Sequence, residues 1–172
     1  MLRLAGIVLL MMGCTGLGIN KVSEEKRRIR ELREIRRMVL RIQNEMVYGK
    51  RTLPEICLLF SQCMEEPYKG AFLAVFKKLE ENDGTVLKTM WKEQMEVCMR
   101  GLPLKEEEKN VLKNLPEHLG MMDEKMQAAD IGQSLDMIAR HISQAETEYE
   151  GKTRVIMGIS VMAGFFLVIL LL

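Results

Sequence analysis

The sequence predicts an all-α protein, a helical bundle of about six helices between two transmembrane helices. Two observations predict this architecture. Every Asp, Glu, Lys and Arg except Arg3 lies between Lys21 and Arg154, so both ends of the chain are almost uncharged. Within the charged part, apolar residues recur every three or four positions, and no stretch alternates with the period of two that is typical of a strand. The predicted division is residues 1–20 for the first transmembrane helix, 21–154 for the helical bundle and 155–172 for the second transmembrane helix.

The first hydrophobic segment, residues 4–19, has 16 uncharged residues. As a helix it reaches roughly 24 Å, which is marginal for crossing a bilayer. A cleaved signal peptide is the alternative, and Met11-Met12-Gly13-Cys14 resembles a lipoprotein cleavage site in which Cys14 would carry the lipid. We favour an uncleaved transmembrane helix, because Met12 is larger than the residue usual at that position. The alternative stays open: a membrane-anchored lipoprotein or an extracytoplasmic helical interaction domain.

The second hydrophobic segment, residues 155–172, has no charged residue, and 12 of its 18 residues are Val, Ile, Leu or Phe. A helix of that length reaches roughly 27 Å, close to the hydrocarbon thickness of a bilayer. At about −0.3 to −0.6 kcal/mol each, these side chains favour insertion by roughly 4–7 kcal/mol. Ser160 and Gly164 are small residues four positions apart, a spacing that permits close contact with another membrane helix.

The distribution of basic residues predicts the orientation in the membrane. Ten Lys and Arg residues lie beside the inner ends of the two hydrophobic segments, against Arg3 alone on the other side. Because basic flanks stay in the cytoplasm, the central domain should be cytoplasmic, with both termini outside. Cys14 lies in the first hydrophobic segment, whereas Cys57, Cys63 and Cys98 match no metal-binding spacing and are expected to be packed free thiols. A net charge of +1 gives no reason to expect nucleic acid as a partner.

The first helix of the bundle is predicted from Ser23, a suitable N-cap, to Gly49, which can end a helix in the left-handed conformation. That this helix continues the first hydrophobic segment without a break stays open as an alternative. Its apolar stripe comprises Ile29, Leu32, Ile35, Met38, Val39, Ile42 and Met46. The pattern Thr52-Leu53-Pro54-Glu55 is a capping box and opens the second helix, which ends before Pro67. The apolar positions of the second helix are Leu53, Ile56, Leu59, Phe60 and Cys63.

Three further helices follow. The third contains Phe72, Val75, Phe76 and Leu79, and Asn82-Asp83-Gly84 ends it. Thr85 is the predicted N-cap of the fourth, which ends at Gly101 and Pro103. The apolar residues of the fourth are Val86, Leu87, Met90, Trp91, Met95 and Cys98. The fifth opens with Glu106, Glu107 and Glu108, which suit the positive end of the helix dipole, and it buries Val111, Leu112 and Leu115.

The last helix is predicted from Asp123, its N-cap, into the second hydrophobic segment without interruption. Its apolar residues follow alternate steps of four and three, the spacing of a heptad seam. They are Ile131, Leu135, Ile138, Ile142, Ala145 and Tyr149. Gly120, like Gly49, can take the left-handed conformation that ends a helix. Glu45 and Gln127 border apolar stripes, and we expect them to hydrogen-bond between helices.

No pattern in the sequence points to catalysis, a cofactor or a metal ion. His118 and His141 have no carboxylate or cysteine at ligand spacing, and no serine lies in a nucleophile-elbow motif. We therefore expect a protein that is not an enzyme. The basic run at residues 26–41, with Arg30 and Arg37, has two interpretations. One is a solvated surface that anchors the topology, which interspersed glutamates favour; the other is contact with acidic membrane lipid or an acidic partner.

Three stretches of the chain resemble the signatures of one known family. Glu45-Met46-Val47-Tyr48-Gly49, followed by Leu53 and Glu55, resembles the first. Leu119-Gly120-Met121-Met122-Asp123, with Gln127, resembles the second, and Val168-Ile169-Leu170-Leu171-Leu172 resembles the closing hydrophobic segment. The order and spacing of these stretches are similar to those of the stage III sporulation protein AB family over nearly the whole chain. One departure is Thr52, which stands where the family tends to have proline, whereas Pro54 lies two residues on.

The resemblance implies a subunit of an operon-encoded membrane complex of endospore-forming bacteria. Such a complex lies between mother cell and forespore and is required for late forespore gene expression. The family in turn resembles the F-domain platform proteins of type II secretion and type IV pilus systems, whose cytoplasmic domains are helical bundles. The implied partners are a secretion-type ATPase of the same complex and its other membrane subunits. The expected function is therefore that of a non-enzymatic platform or scaffold in the mother-cell membrane facing the forespore.

Overall fold

The structure is a computed structural model that describes residues 2–81, 86–119 and 124–171, with side chains for 21–81, 86–117, 128–156 and four later residues. The described residues form seven helices and no strand, so the all-α prediction is confirmed. The helices are α1 (Leu2–Val47), α2 (Leu53–Cys63), α3 (Tyr68–Glu81), α4 (Leu87–Cys98), α5 (Glu106–Lys113), α6 (Leu115–Leu119) and α7 (Glu124–Leu171). The helix absent from the prediction is α6, which has five residues and begins directly after the end of α5.

The first and last helices are continuous over 46 and 48 residues, and each joins a hydrophobic end segment to the charged part of the chain. Ser23 lies inside α1 and is not an N-cap. The residues before it are helical, so their carbonyl oxygens accept the backbone N–H groups that a cap would otherwise have to satisfy. Neither helix contains proline, so every residue of both helices keeps a backbone N–H. Within the described part of the chain, no helix is long and apolar enough to cross a membrane.

An aromatic cluster lies at the centre of the larger of two compact units. The units are residues 1–30 with 143–172 and residues 31–142. In the larger unit, the ring centroids of Phe60 and Phe72 lie 4.9 Å apart, and those of Phe72 and Trp91 lie 5.7 Å apart in an edge-on arrangement. The Trp91 indole N–H donates to the Leu112 carbonyl oxygen at 2.8 Å, so the polar atom of this fully buried side chain is paired. These contacts tie α2, α3, α4 and α5 together.

The helix ends confirm the capping box and one terminating glycine. Thr52 is the N-cap of α2, and the Glu55 carboxylate accepts its backbone N–H at 2.7 Å and its hydroxyl at 2.9 Å. Gly101 has a φ of +87°, which residues with a Cβ rarely adopt, and it follows the end of α4. The predicted breaker at residues 82–84 and the predicted cap Thr85 lie outside the described residues. The described N-cap of α4 is Val86.

The buried face of α7 has the predicted spacing, but some of the residues on it differ from those predicted. Ile131 and Ile138 are fully buried as predicted, whereas Leu135 and Ile142 are half-buried. Ser134 is buried in place of Leu135, and its hydroxyl donates to the Asp130 carbonyl oxygen at 3.4 Å. Because that bond satisfies the hydroxyl within the helix, a serine is tolerated on the buried face.

Candidate functional site

The connection between α1 and α2, residues 45–55, contains the first family-like stretch. The Glu45 carbonyl oxygen accepts the Arg51 backbone N–H at 3.0 Å, and the Glu45 carboxylate lies 3.2 Å from Arg51 Nε. Glu45 therefore fastens the connection to the last turn of α1. The sequence predicts a bond between helices for this side chain, and the structure differs because Arg51 turns back within its reach.

Gly49 has a structural role that differs from the predicted one. Gly49 does not take the left-handed conformation; the next residue, Lys50, takes it with a φ of +47°. A Cβ added to Gly49 would lie 2.7 Å from the Glu45 carbonyl oxygen and 3.3 Å from its Cα. Glycine is therefore required at this position by the close approach of two stretches of backbone, and not by an unusual dihedral angle.

Tyr48 and Glu55 have different surroundings in the same connection. The side chain of Tyr48 is 83% exposed, and its hydroxyl makes no hydrogen bond with a described residue. Hydrogen bonds from the Thr52 backbone N–H and hydroxyl lower the pKa of the Glu55 carboxyl. Glu55 also lines an open groove of about 350 Å³, together with Arg51, Leu58, Leu59 and Gln62. Tyr48 therefore presents its ring to solvent or a partner and does not contribute to the core.

The second family-like stretch lies largely outside the described residues, as do Gly120, Asp123 and the side chain of Gln127. A side-chain bond between α1 and α7 is nevertheless present one residue further on. Gln43 Nε2 of α1 donates to the Ala128 carbonyl oxygen of α7 at 2.9 Å. Gln43 is not among the residues predicted from the sequence, although it borders the apolar stripe of α1 in the same way as Glu45.

A basic groove lies between α1 and α7 in the larger unit. Its volume is about 340 Å³, and its lining consists of Arg33, Arg36, Arg37, Ala139 and Ile142, which we call the arginine groove. All three arginines are exposed, and Arg37 Nη1 lies 2.8 Å from a Glu34 carboxylate oxygen. Of the two arginines singled out from the sequence, Arg37 lines this groove, and Arg30 is an exposed residue of the smaller unit.

A cluster of four charged residues lies in the smaller unit: Glu25, Arg28, Glu148 and Lys152, here called the charge cluster. Arg28 is only 4% exposed, and its Nη1 lies 3.2 Å from Glu25 and 2.8 Å from Glu148. Lys152 forms a further ion pair with Glu25. Burial raises the pKa of the Glu25 carboxyl, but Lys152 and Arg28 lower it by more, so the net change is downward. The cluster therefore compensates a buried guanidinium and joins α1 to α7.

The described thiols fall into two classes. Burial raises the pKa of both Cys57 and Cys98 to about 12, so both are inert, as expected for packed thiols. Cys63, which was expected to be packed, is exposed. Arg41 Nη1 donates to Cys63 Sγ at 3.3 Å, and the Arg41 guanidinium lies 5.5 Å from the Phe60 ring centroid. Among the described residues, no group of three His, Cys, Asp or Glu side chains could hold a metal ion.

Three comparisons with known proteins give the same family. A sequence model of the family described as stage III sporulation protein AB matches residues 3–172. A stage III sporulation protein AB of Bacillus subtilis (strain 168) is 26% identical over 172 residues, which is 100% of both chains. A solved structure of stage III sporulation protein AB (SpoIIIAB) has a TM-score of 0.64 and 25% identity, and covers 72% of this chain and 97% of that one. Because the family match includes nearly every residue and the fold is shared with a solved member, the chain belongs to the stage III sporulation protein AB family.

Proposed function

We propose that this protein is a non-enzymatic platform or scaffold subunit of a sporulation-specific, secretion-like membrane complex between mother cell and forespore. In this function it is required for late forespore gene expression. The observation that carries the proposal is the family match over residues 3–172. The all-α bundle supports it further, since the platform proteins that the family resembles also use helical bundles. The interactions found in the connection and the charge cluster hold helices in place, which suits a scaffold.

The proposed membrane anchors are residues 1–20 and 155–172, with residues 21–154 in the mother-cell cytoplasm. The absence of charge from residues 155–172 supports the second anchor. Among the side chains described there, Val155, Ile159, Met162 and Phe166 are large, apolar and exposed, which suits contact with membrane lipid or another membrane helix. The side chains of Ser160 and Gly164 lie outside the described residues, so their close contact with another helix stays a prediction.

The proposed partners are the secretion-type ATPase of the same complex and its other membrane subunits. The exposed arginines of α1 support docking of an acidic partner, because a guanidinium binds carboxylates in two parallel hydrogen bonds. The same bases also favour retention of the bundle on the cytoplasmic side. A bundle in the mother-cell cytoplasm would be accessible to the ATPase. Orientation and docking are separate parts of this proposal, and each has its own test.

Exposed Cys63 allows a direct test of orientation. A full-length Cys14→Ser variant in sporulating cells should react with a membrane-impermeant maleimide only after permeabilisation, because Cys57 and Cys98 are buried. Adding Cys63→Ser should remove that labelling. Ready labelling of Cys63 in intact cells would show that the bundle is outside, and the extracytoplasmic alternative would replace the proposal. Mass spectrometry of the purified wild-type chain would detect a cleaved N-terminus with a lipid on Cys14.

The docking function requires a second measurement. The tagged full-length chain, extracted from sporulating cells after crosslinking, should bring down the ATPase and other membrane subunits of the complex. A variant with Arg30→Glu and Arg37→Glu should keep its cellular level, because both side chains are exposed, and should retain less ATPase at low salt. Recovery of the wild-type chain without any membrane subunit or ATPase would overturn the platform proposal.

A further inference from the structure

The arginine groove combines positive charge with apolar surface. Its three guanidinium groups come from one face of α1, at the i, i+3 and i+4 positions 33, 36 and 37. From α7, the exposed Ala139 and the half-buried Ile142 complete the lining, three positions apart. A ligand that covers the whole groove must therefore offer both negative charge and apolar side chains.

Two arginines of the groove, Arg36 and Arg37, have hydrogen-bond donors available to a ligand. Glu34 pairs with Arg37, whose side chain is still 69% exposed and keeps donors free for a ligand. Arg36 is exposed and forms no ion pair with any residue that the structure describes. Guanidinium groups suit carboxylates in particular, because their planar fork makes paired hydrogen bonds that an ammonium group cannot make.

We propose that the arginine groove is a docking site for an acidic amphipathic helix of a partner protein. On such a helix, glutamates and leucines at i, i+3 and i+4 share one face, so carboxylates can meet α1 while apolar side chains meet α7. The groove is open to solvent, and its volume is about 340 Å³. A lipid headgroup would satisfy the arginines but leave Ala139 and Ile142 uncovered. The assignment rests on the proposed docking function and adds the chemistry of the partner.

The test uses the full-length chain in phosphatidylcholine nanodiscs and a fluorescent synthetic helix with Glu and Leu on one face. Fluorescence anisotropy should show binding that weakens as salt is raised. The pair Arg36→Glu with Arg37→Glu should weaken binding at least about tenfold, since two attractive contacts become repulsive. The matched control, Lys77→Glu with Arg100→Glu, makes the same change in net charge at exposed positions outside the groove and should change binding less than about twofold.

Two further comparisons separate the amphipathic helix from other acidic ligands. Ala139→Gln puts a larger neutral side chain at an exposed position of the groove and should weaken binding about tenfold without changing the charge. A peptide of the same composition, ordered so that Glu and Leu share no face, should bind at least about tenfold more weakly. The fluorescence of Trp91, the one tryptophan of the chain, checks that each variant is folded.

Four outcomes would overturn the groove as the docking site. Equal binding of the reordered peptide, or equal weakening by the control pair, would mean unspecific attraction by charge. Competition by short-chain phosphatidylglycerol, together with no effect of Ala139→Gln, would mean an anionic lipid site. Undiminished recovery of the ATPase and membrane subunits by the Arg36/Arg37 variant would leave the platform function standing and remove the groove. Conversely, selective peptide binding by a chain that recovers no subunit would support the groove and overturn the platform function.

Discussion

Substitution of Gly49 by alanine should destabilise the bundle, although replacing a loop glycine by alanine more often stabilises a protein. Losing a glycine normally stabilises a protein by about 0.4–1 kcal/mol, because the unfolded chain has fewer conformations. Here the new Cβ would lie 2.7 Å from the Glu45 carbonyl oxygen, a distance that real Cβ atoms do not show. Relief requires the backbone to move, and the bond from the Arg51 N–H to that oxygen, now 3.0 Å, would weaken. Overpacking costs about 1–3 kcal/mol and a lost hydrogen bond about 0.5–1.5 kcal/mol, so the net loss after the gain from removing glycine should be about 0.5–4 kcal/mol.

Gly132 provides a matched control in the same unit. It lies inside α7, and a Cβ there would meet nothing within 4 Å. Gly132→Ala should therefore stabilise the protein by up to about 1 kcal/mol, through helix propensity. Urea unfolding of the full-length chain in detergent, followed by Trp91 fluorescence, measures both changes. Opposite signs are expected; a Gly49→Ala variant as stable as the wild type, or as stable as Gly132→Ala, would refute the close-approach argument.

Two further stability predictions concern the charge cluster and the aromatic cluster. Burial raises the pKa of Glu25, but Lys152 and Arg28 lower it by more, so the stabilisation exists above the unfolded value of about 4.5 and is lost as pH falls through the lower folded value. The free energy of unfolding of the wild-type chain should therefore fall below about pH 4.5, and it should fall less in the Glu25→Gln variant. The same pH profile for both chains would contradict the ion pairing. Phe72→Ala removes a fully buried ring that contacts two others and should cost about 3–5 kcal/mol, whereas Leu73→Ala, at an exposed neighbour, should cost less than about 1 kcal/mol. If urea unfolding showed similar losses of stability for Phe72→Ala and Leu73→Ala, the aromatic cluster would not be the core of this unit.

Helix positions could be predicted from the sequence because their signals are local. The capping bonds between Thr52 and Glu55 span three residues, and the positive φ of Gly101 depends on a single residue. The buried stripe of α1 also follows from a repeat that any helix of that sequence must show. The sequence leaves open whether the helix begins at Ser23 or continues the first hydrophobic segment, and α1 is continuous because a good cap residue does not end a helix whose preceding turn is also stable.

The details of the candidate sites depend on contacts between residues far apart in sequence. Gln43 borders an apolar stripe, but only the packing of α7 against it supplies the Ala128 carbonyl oxygen that it binds. Cys63 has the spacing of a core residue, yet it is exposed beside the Arg41 guanidinium. The basic half of the arginine groove is visible in the sequence as a run of arginines. Its apolar half comes from α7, about a hundred residues later, and no local pattern connects the two.

The charge cluster also imposes an order in time on the folding of a newly made chain. Arg28 and Glu148 are 120 residues apart, so at about 5–20 residues per second the ribosome completes Glu148 roughly 6–24 s after Arg28. Glu25, three residues before Arg28, can pair with the guanidinium as soon as that turn of helix forms. The local pair can thus hold the arginine while α2 to α6 are still being synthesised. The distant pair then closes last, and only a chain translated as far as Glu148 and Lys152 can complete the cluster.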